Sequence, residues 1–191
     1  MSLFTAFLDT CVLVPVTSAD LLLRLAEAGI YRPLWSEKVL EELKLALCDV
    51  HPDKEPGVLR RVEAMSCAFP DASVIRWEDL VESLELPDPK DRHVLAAAIR
   101  GRADIIVTNN VKDFPANAVR EKYGIEVSNL DDFLLDQLDL FPDLVITVLQ
   151  QQAYDTGNPP ISLGNLLEAF GRAGASEFVR EASSQIWRVR S

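Results

Sequence analysis

From about residue 5 to about residue 130, short apolar runs alternate with longer runs of helical periodicity. That alternation narrows the choice of folds more than any compositional property. Consecutive strands separated by helices pair parallel, because a parallel connection must cross back over the sheet, and a helix is the usual means. Helices then cover both faces of the sheet, so its strands are apolar throughout.

The run Phe4 to Leu8 reads as a first strand ending at Asp9, and Tyr31 to Trp35 as a second. Between them Thr17 or Ser18 can cap a helix carrying Leu21, Leu22, Leu25 and Ala26, which Gly29 stops. Ser36 caps a helix reaching about Cys48, with Val39, Leu40, Leu43 and Leu47 on one face. Val50 to Gly57 reads as a polar loop and Val58 to Ala68 as a helix. Ser73 to Trp77 reads as a third strand and Glu78 to Leu84 as a short helix. A Pro-rich turn then opens a helix over Lys90 to Arg100, ended by Gly101. The β-branched run Asp104 to Thr108 suits a central strand, and Ile125 to Ser128 a last one, after a helix from Pro115 to near Gly124.

Beyond Asp131 the pattern is helical only: Leu130 to Leu140, Pro142 to Ala153, Ser162 to Arg172 and Ser176 to Val189. The expected organisation is an α/β domain over residues 1–133 and an α-helical C-terminal extension over 134–191.

No apolar run reaches the roughly 18 residues a membrane span needs. The N-terminus lacks a basic region and carries Asp9, so it does not read as a secretory signal. Cys11, Cys48 and Cys67 have no CxxC spacing and read as free buried thiols of a reducing, cytoplasmic compartment. His51 and His93 are the only histidines, too few to suggest a zinc site or a Ser-His-Asp triad. The net charge of -11 opposes tight nonspecific binding of nucleic acid. It is compatible with carboxylates that hold cations, because a bound metal supplies positive charge locally.

In open α/β sheets ligands bind beyond the carboxyl ends of the strands. Asp9 ends the first strand there, while Asn110 and Asp113 follow the Asp104–Thr108 strand. Asp91 begins the helix that feeds that strand, on the azimuth of Leu95 and Ala98. A carboxylate in line with a buried stripe is costly unless paired or metal-bound. A helix-start acid favoured by the macrodipole explains the position but not the inward azimuth. Glu42 borders the apolar face of its helix, whereas Glu41 points away from it, so Glu42 is the better candidate for a cleft. Such a cluster suits Mg²⁺ or Mn²⁺. Without metal the acids repel one another, and one titrates high.

The runs LDTCVLVP (8–15), WSEKVLEELKLAL (35–47) and LPDPKDRHVLAAAIRGRADIIVTNNVKDFP (86–115) resemble, in order and spacing, the PIN-domain family. The resemblance covers about residues 5 to 133 and is nearest to the VapC-type toxins of bacterial toxin–antitoxin systems. The helical tail with its NPP resembles one VapC-like subgroup. The resemblance implies a three-layer fold on a parallel sheet of five strands, and a Mg²⁺- or Mn²⁺-dependent endoribonuclease. Carried over by position, the family's acids fall on Asp9, Glu42 and Asp91, with Thr10 and Thr108 as supporting hydroxyls. Asn110 stands where the family's T-x-D pattern has its fourth acid. Asp113 takes over that role, or Asn110 contributes through its carbonyl or a water. Arg92, Arg100, Arg102 and Lys112 flank the proposed cleft in sequence, with Arg92 and Lys112 the preferred contacts to an RNA backbone. The implied partners are an RNA substrate, a small cognate antitoxin and a second copy of the chain.

A non-catalytic PIN-like interaction module, with the helical tail as its working surface, is the alternative; the retained acids argue against it. A phosphatase would want a DxD near the first strand, and Asp9-Thr10-Cys11 lacks the second Asp.

Overall fold

The computed structural model describes residues 4–50 and 52–189, so His51 lies outside the described residues. Its strands are β1 (Thr5–Leu8), β2 (Arg32–Ser36), β3 (Ser73–Val74), β4 (Ile105–Val107) and β5 (Glu126–Ser128). Its helices are α1 (Thr10–Leu13), α2 (Val16–Glu27), α3 (Glu37–Val50), α4 (Glu55–Ala68), α5 (Arg92–Gly101), α6 (Ala116–Tyr123), α7 (Leu130–Leu140), α8 (Pro142–Asp155), α9 (Leu163–Arg172) and α10 (Ser176–Gln185). The chain divides into two compact units, Met1–Val14 with Tyr31–Ser128, and Pro15–Ile30 with Asn129–Ser191. No helix among the described residues is long and apolar enough to cross a membrane.

The first unit holds a parallel sheet in the order β3-β2-β1-β4-β5. From β1 the chain steps outward to β2 and β3, then returns to the other side of β1 for β4 and β5. The order therefore reverses between β1 and β4, and loops leaving the carboxyl ends of those neighbours diverge. Such a switch point opens a crevice at the sheet edge. The register sets Leu8 beside Val107, so Asp9 and Thr108 leave their strands at the same level.

β1 is buried at every position, and the core around it includes Leu34, Trp35, Ile106 and Val107. Helix α3 buries Val39, Leu40, Leu43 and Leu47, the stripe expected from its periodicity. Helix α5 is buried on nearly all sides from His93 to Ala98, which is why its sequence reads as a continuous apolar run. Its close approach to the sheet needs a glycine. A Cβ on Gly101 would lie 2.7 Å from Val74 Cγ2 and 3.0 Å from Leu34 Cδ1.

Several boundaries differ from the sequence expectation. Asp9 caps a short helix, α1, that too few residues define to be read from periodicity. α4 begins at Glu55, because Pro56 sits in its first turn, where a missing N–H costs nothing. The third strand is shorter than Ser73 to Trp77, since Arg76 adopts φ 60 and turns the chain out of the sheet. Lys90 and Asp91 form a 3-10 turn ahead of α5, which includes Gly101 and stops at Arg102, the left-handed residue at φ 54. The thiols are free but not fully buried: Cys11 and Cys48 are half-buried, and Cys67 is exposed.

In the second unit α2 joins α7, α8, α9 and α10 around Leu21, Leu22, Leu25, Phe133, Leu149 and Phe170. Residues 15–30 thus fold with the C-terminal helices, although they lie far from them in sequence. Arg24 joins Asp20 at 3.0 Å to Asp155 at 2.8 Å. Ser162 caps α9 by accepting from the Asn165 N–H, and the Asp131 carboxylate accepts from the N–H groups of Glu177 and Phe178 at the start of α10.

Candidate active site

Asp9 stands where β1 becomes α1, and its carboxylate is fixed by three donors. Oδ1 accepts from the Thr10 N–H at 2.7 Å. Oδ2 accepts from the Thr108 hydroxyl at 2.7 Å and from the Cys11 thiol at 3.1 Å. Thr108 is fully buried at the end of β4, and its oxygen accepts in turn from the Asn110 N–H at 3.1 Å. The hydroxyl therefore ties β1 to β4 across the switch point. Cys11 accepts from the Asn109 N–H, and burial together with the Asp9 charge pushes its thiol up to about 11. It stays protonated, a donor toward Asp9 rather than a nucleophile.

Glu42 reaches the same crevice from α3. It is half-buried, whereas Glu41 is exposed, as the helix azimuth requires. Its Oε2 accepts from Thr10 Oγ1 at 3.1 Å, and its Oε1 lies 3.1 Å from His93 Nε2. Burial, ahead of any neighbouring charge, raises its pKa.

Asp91 occupies the residue before α5 without capping it. Its Oδ2 instead accepts from Asn110 Nδ2 at 2.9 Å. Its pKa is raised to about 6, by desolvation first and then by the charges of Asp9, Asp88, Asp113 and Glu42. An acid serving only the helix dipole would be stabilised in its charged form. This one is disfavoured in it, first by desolvation and then by the other carboxylates that share its space. Asn110 thus stands as a donor to Asp91. Asp113 closes a 3-10 turn after Asn110, half-buried, and contributes its charge to the group.

The donor set, carboxylates and a carboxamide, matches a hard divalent cation. Among the described residues these acids are not drawn into one coordination shell. Asp9, Glu42 and Asp91 are each turned toward a neutral donor, Thr108, Thr10 with His93, and Asn110 respectively. The residue types at this edge are therefore compatible with a bound cation.

Of the basic residues, Lys112 is exposed on the 3-10 turn after Asn110, and Arg92 is half-buried beside Asp91. Arg100 and Arg102 do not belong to this edge. They sit at the far end of α5, roughly 15 Å from Asp91 at 1.5 Å per residue. Arg100 there pairs with Asp79 at 2.6 Å.

Sequence reasoning missed His93 and the contact of Cys11 with Asp9. His93 is 4% exposed, and burial lowers its pKa to about 4, so the imidazole is neutral. The tilted Trp77 ring lies 6.0 Å from it. The signal was one ionisable residue in the otherwise apolar run His93 to Ala98, where an unpartnered polar group is expensive.

Residues 5–112 match the family model of the PIN domain, and residues 130–184 match that of the VapC50 C-terminal domain. The chain is similar to the Mycobacterium tuberculosis (strain ATCC 25618 / H37Rv) protein named "Putative ribonuclease VapC50", 48% identical over 82 residues. That alignment takes in 43% of this chain and 48% of the relative, so the chain spans about half the length of the curated relative it matches. No solved structure matches it. With more than half of its length inside the PIN-domain model, and a parallel sheet that brings Asp9, Glu42 and Asp91 to one edge, the chain belongs to the PIN-domain family.

Proposed function

We propose that the chain is a metal-dependent endoribonuclease, the toxin of a VapBC-type toxin–antitoxin pair, acting in the cytoplasm. The observation that carries the reading is the gathering of Asp9, Glu42 and Asp91 at the β1/β4 switch point, where Thr108, Thr10 and Asn110 each hold one of them. The named ribonuclease relative and the match of residues 130–184 support the toxin part. Nuclease chemistry is assigned to residues 1–133, of which 15–30 and 129–133 fold with the helices of the extension assigned to 134–191. A small antitoxin and a second copy of the chain are the partners this reading carries over.

Asp9, Glu42 and Asp91 would hold Mg²⁺ or Mn²⁺, with Asp113 as the further acid. The ion supplies Lewis-acid charge to a scissile phosphodiester and to the water that attacks it. The residues of the chain prepare the place. Thr108 and the Thr10 N–H fix both oxygens of Asp9, so its charge would face a bound cation from one direction. The Thr10 hydroxyl holds Glu42, and Asn110 holds Asp91. Holding a group in place before reaction removes an entropic cost from the chemical step. Lys112 and Arg92 flank the edge where an RNA backbone would approach.

The test is cleavage of defined RNAs by the purified chain. Turnover should vanish in EDTA, return with Mn²⁺ and be lost in Asp9→Asn. Cleavage that survives both EDTA and Asp9→Asn overturns the assignment.

A further inference from the structure

We propose that His93 is a positioning residue for Glu42, donating from Nε2 to Oε1 so that the carboxylate is presented to the crevice in one orientation. The inference rests on the nuclease reading above and deepens it by adding a residue that touches neither ion nor RNA. Glu42 has two oxygens and two neutral donors. Thr10 Oγ1 reaches one at 3.1 Å, and His93 Nε2 reaches the other at 3.1 Å. A carboxylate gripped at both oxygens cannot swing about its last bond, whereas a single donor leaves it free to do so.

The imidazole is itself held. It is 4% exposed in α5, and the Trp77 ring lies against it at 6.0 Å. Its Nδ1 finds no hydrogen-bond partner among the described residues. In the neutral ring one nitrogen is donor and the other acceptor. The nitrogen facing a carboxylate must carry the proton, so Nδ1 is the bare one. Arg76, left-handed at φ 60, precedes Trp77 and turns the chain out of β3. A histidine used only as packing would need no carboxylate opposite it; a core residue of similar shape would serve.

Outer partners of metal ligands typically carry 10- to 100-fold in metal affinity or activity. Mn²⁺ binding to the purified full chain, followed by the electron paramagnetic resonance of free Mn²⁺, should weaken by about 10-fold or more in His93→Leu. His93→Gln, whose side-chain N–H₂ can replace the Nε2–H donor, should recover most of that loss. At saturating Mn²⁺ the KM for RNA should be unchanged in both variants, while kcat falls in His93→Leu. Melting in EDTA should be alike for the two, since both fill the site. Imidazole ¹⁵N spectra of the parent should show the proton on Nε2. A parent that takes up no Mn²⁺ overturns the nuclease reading and this inference with it. A parent that binds Mn²⁺, with His93→Leu binding as tightly, overturns the inference alone. So does a ring with its proton on Nδ1 and none on Nε2, or a His93→Gln no better than His93→Leu.

Discussion

Asp91 and His93 stand two positions apart and carry opposite dependences on pH. In Asp91 the folded pKa is raised, from 3.8 to about 6. Its favourable contribution is therefore complete below pH 3.8 and lost as pH rises through 6. In His93 the folded pKa is lowered, from 6.5 to about 4. Its contribution is complete above pH 6.5 and lost as pH falls through 4. The two oppose each other over one window. Asp91→Asn removes the first and leaves the second. Without metal, that variant should melt no lower than the parent at pH 7.5, and its advantage should shrink as pH falls from 6 to 4. Cleavage in the same variant should drop at least as much as the roughly 10- to 100-fold lost when a supporting partner is removed. A variant that melts well below the parent in EDTA at every pH would make Asp91 a structural acid instead. Glu42 and Glu41 offer a second comparison. Glu42→Gln should weaken Mn²⁺ binding and turnover, while Glu41→Gln, on the exposed face of α3, should match the parent. Both variants measured on one RNA at fixed Mn²⁺ decide it.

Helix α5 shows how an element is fitted to the sheet. Gly101 is a weaker helix former than alanine by about 1 kcal/mol, so propensity alone favours Gly101→Ala. Packing opposes it, because the new Cβ meets Val74 and Leu34 at 2.7 and 3.0 Å. Overpacking of this kind costs about 1–3 kcal/mol, which leaves a net loss of up to about 2 kcal/mol after the gain in propensity. Gly101→Ala should therefore lower the melting temperature by several degrees, in proportion to roughly 2–4 °C per kcal/mol for a chain of this size. A variant more stable than the parent would mean that α5 can lift from β2 and β3 at little cost. At the other side of the same junction Arg102 adopts φ 54, a conformation costing a non-glycine residue about 1 kcal/mol or more. Arg102→Gly should relieve it and raise the melting temperature slightly.

For the whole molecule, the net charge of -11 limits how the proposed RNA substrate could be bound. Affinity from phosphate contacts needs many Lys and Arg, and an acidic chain repels the backbone at long range. Binding should therefore depend on the ion more than on basic residues. RNA retained by the chain in Mn²⁺ should be released by EDTA at constant salt; retention unchanged by EDTA would place the contact elsewhere. Mn²⁺ at 100 times its Kd should stabilise the folded chain by about 2.7 kcal/mol. That corresponds to a rise of about 5–10 °C in melting temperature. A melting curve that Mn²⁺ leaves unmoved removes the carboxylate site.

How much of this was legible beforehand follows from the range over which each force acts. Strand–helix alternation is local, so the parallel α/β class and the helical tail could be read from periodicity. The rule that sites form at carboxyl strand ends then singled out Asp9, Asp91 and the loop after β4. The azimuth along α3 separated Glu42 from Glu41. Tertiary structure decided the rest. That residues 15–30 fold with the C-terminal helices is a pairing of segments far apart in sequence, which no local pattern records. The strand order 3-2-1-4-5 joins Asp9 to Thr108 across 99 residues, and only the sheet register supplies that contact. His93 looked like one polar interruption of an apolar helix. Its partner lies on α3, a segment far away in sequence, so sequence reasoning passed it over and only the packed structure could name Glu42.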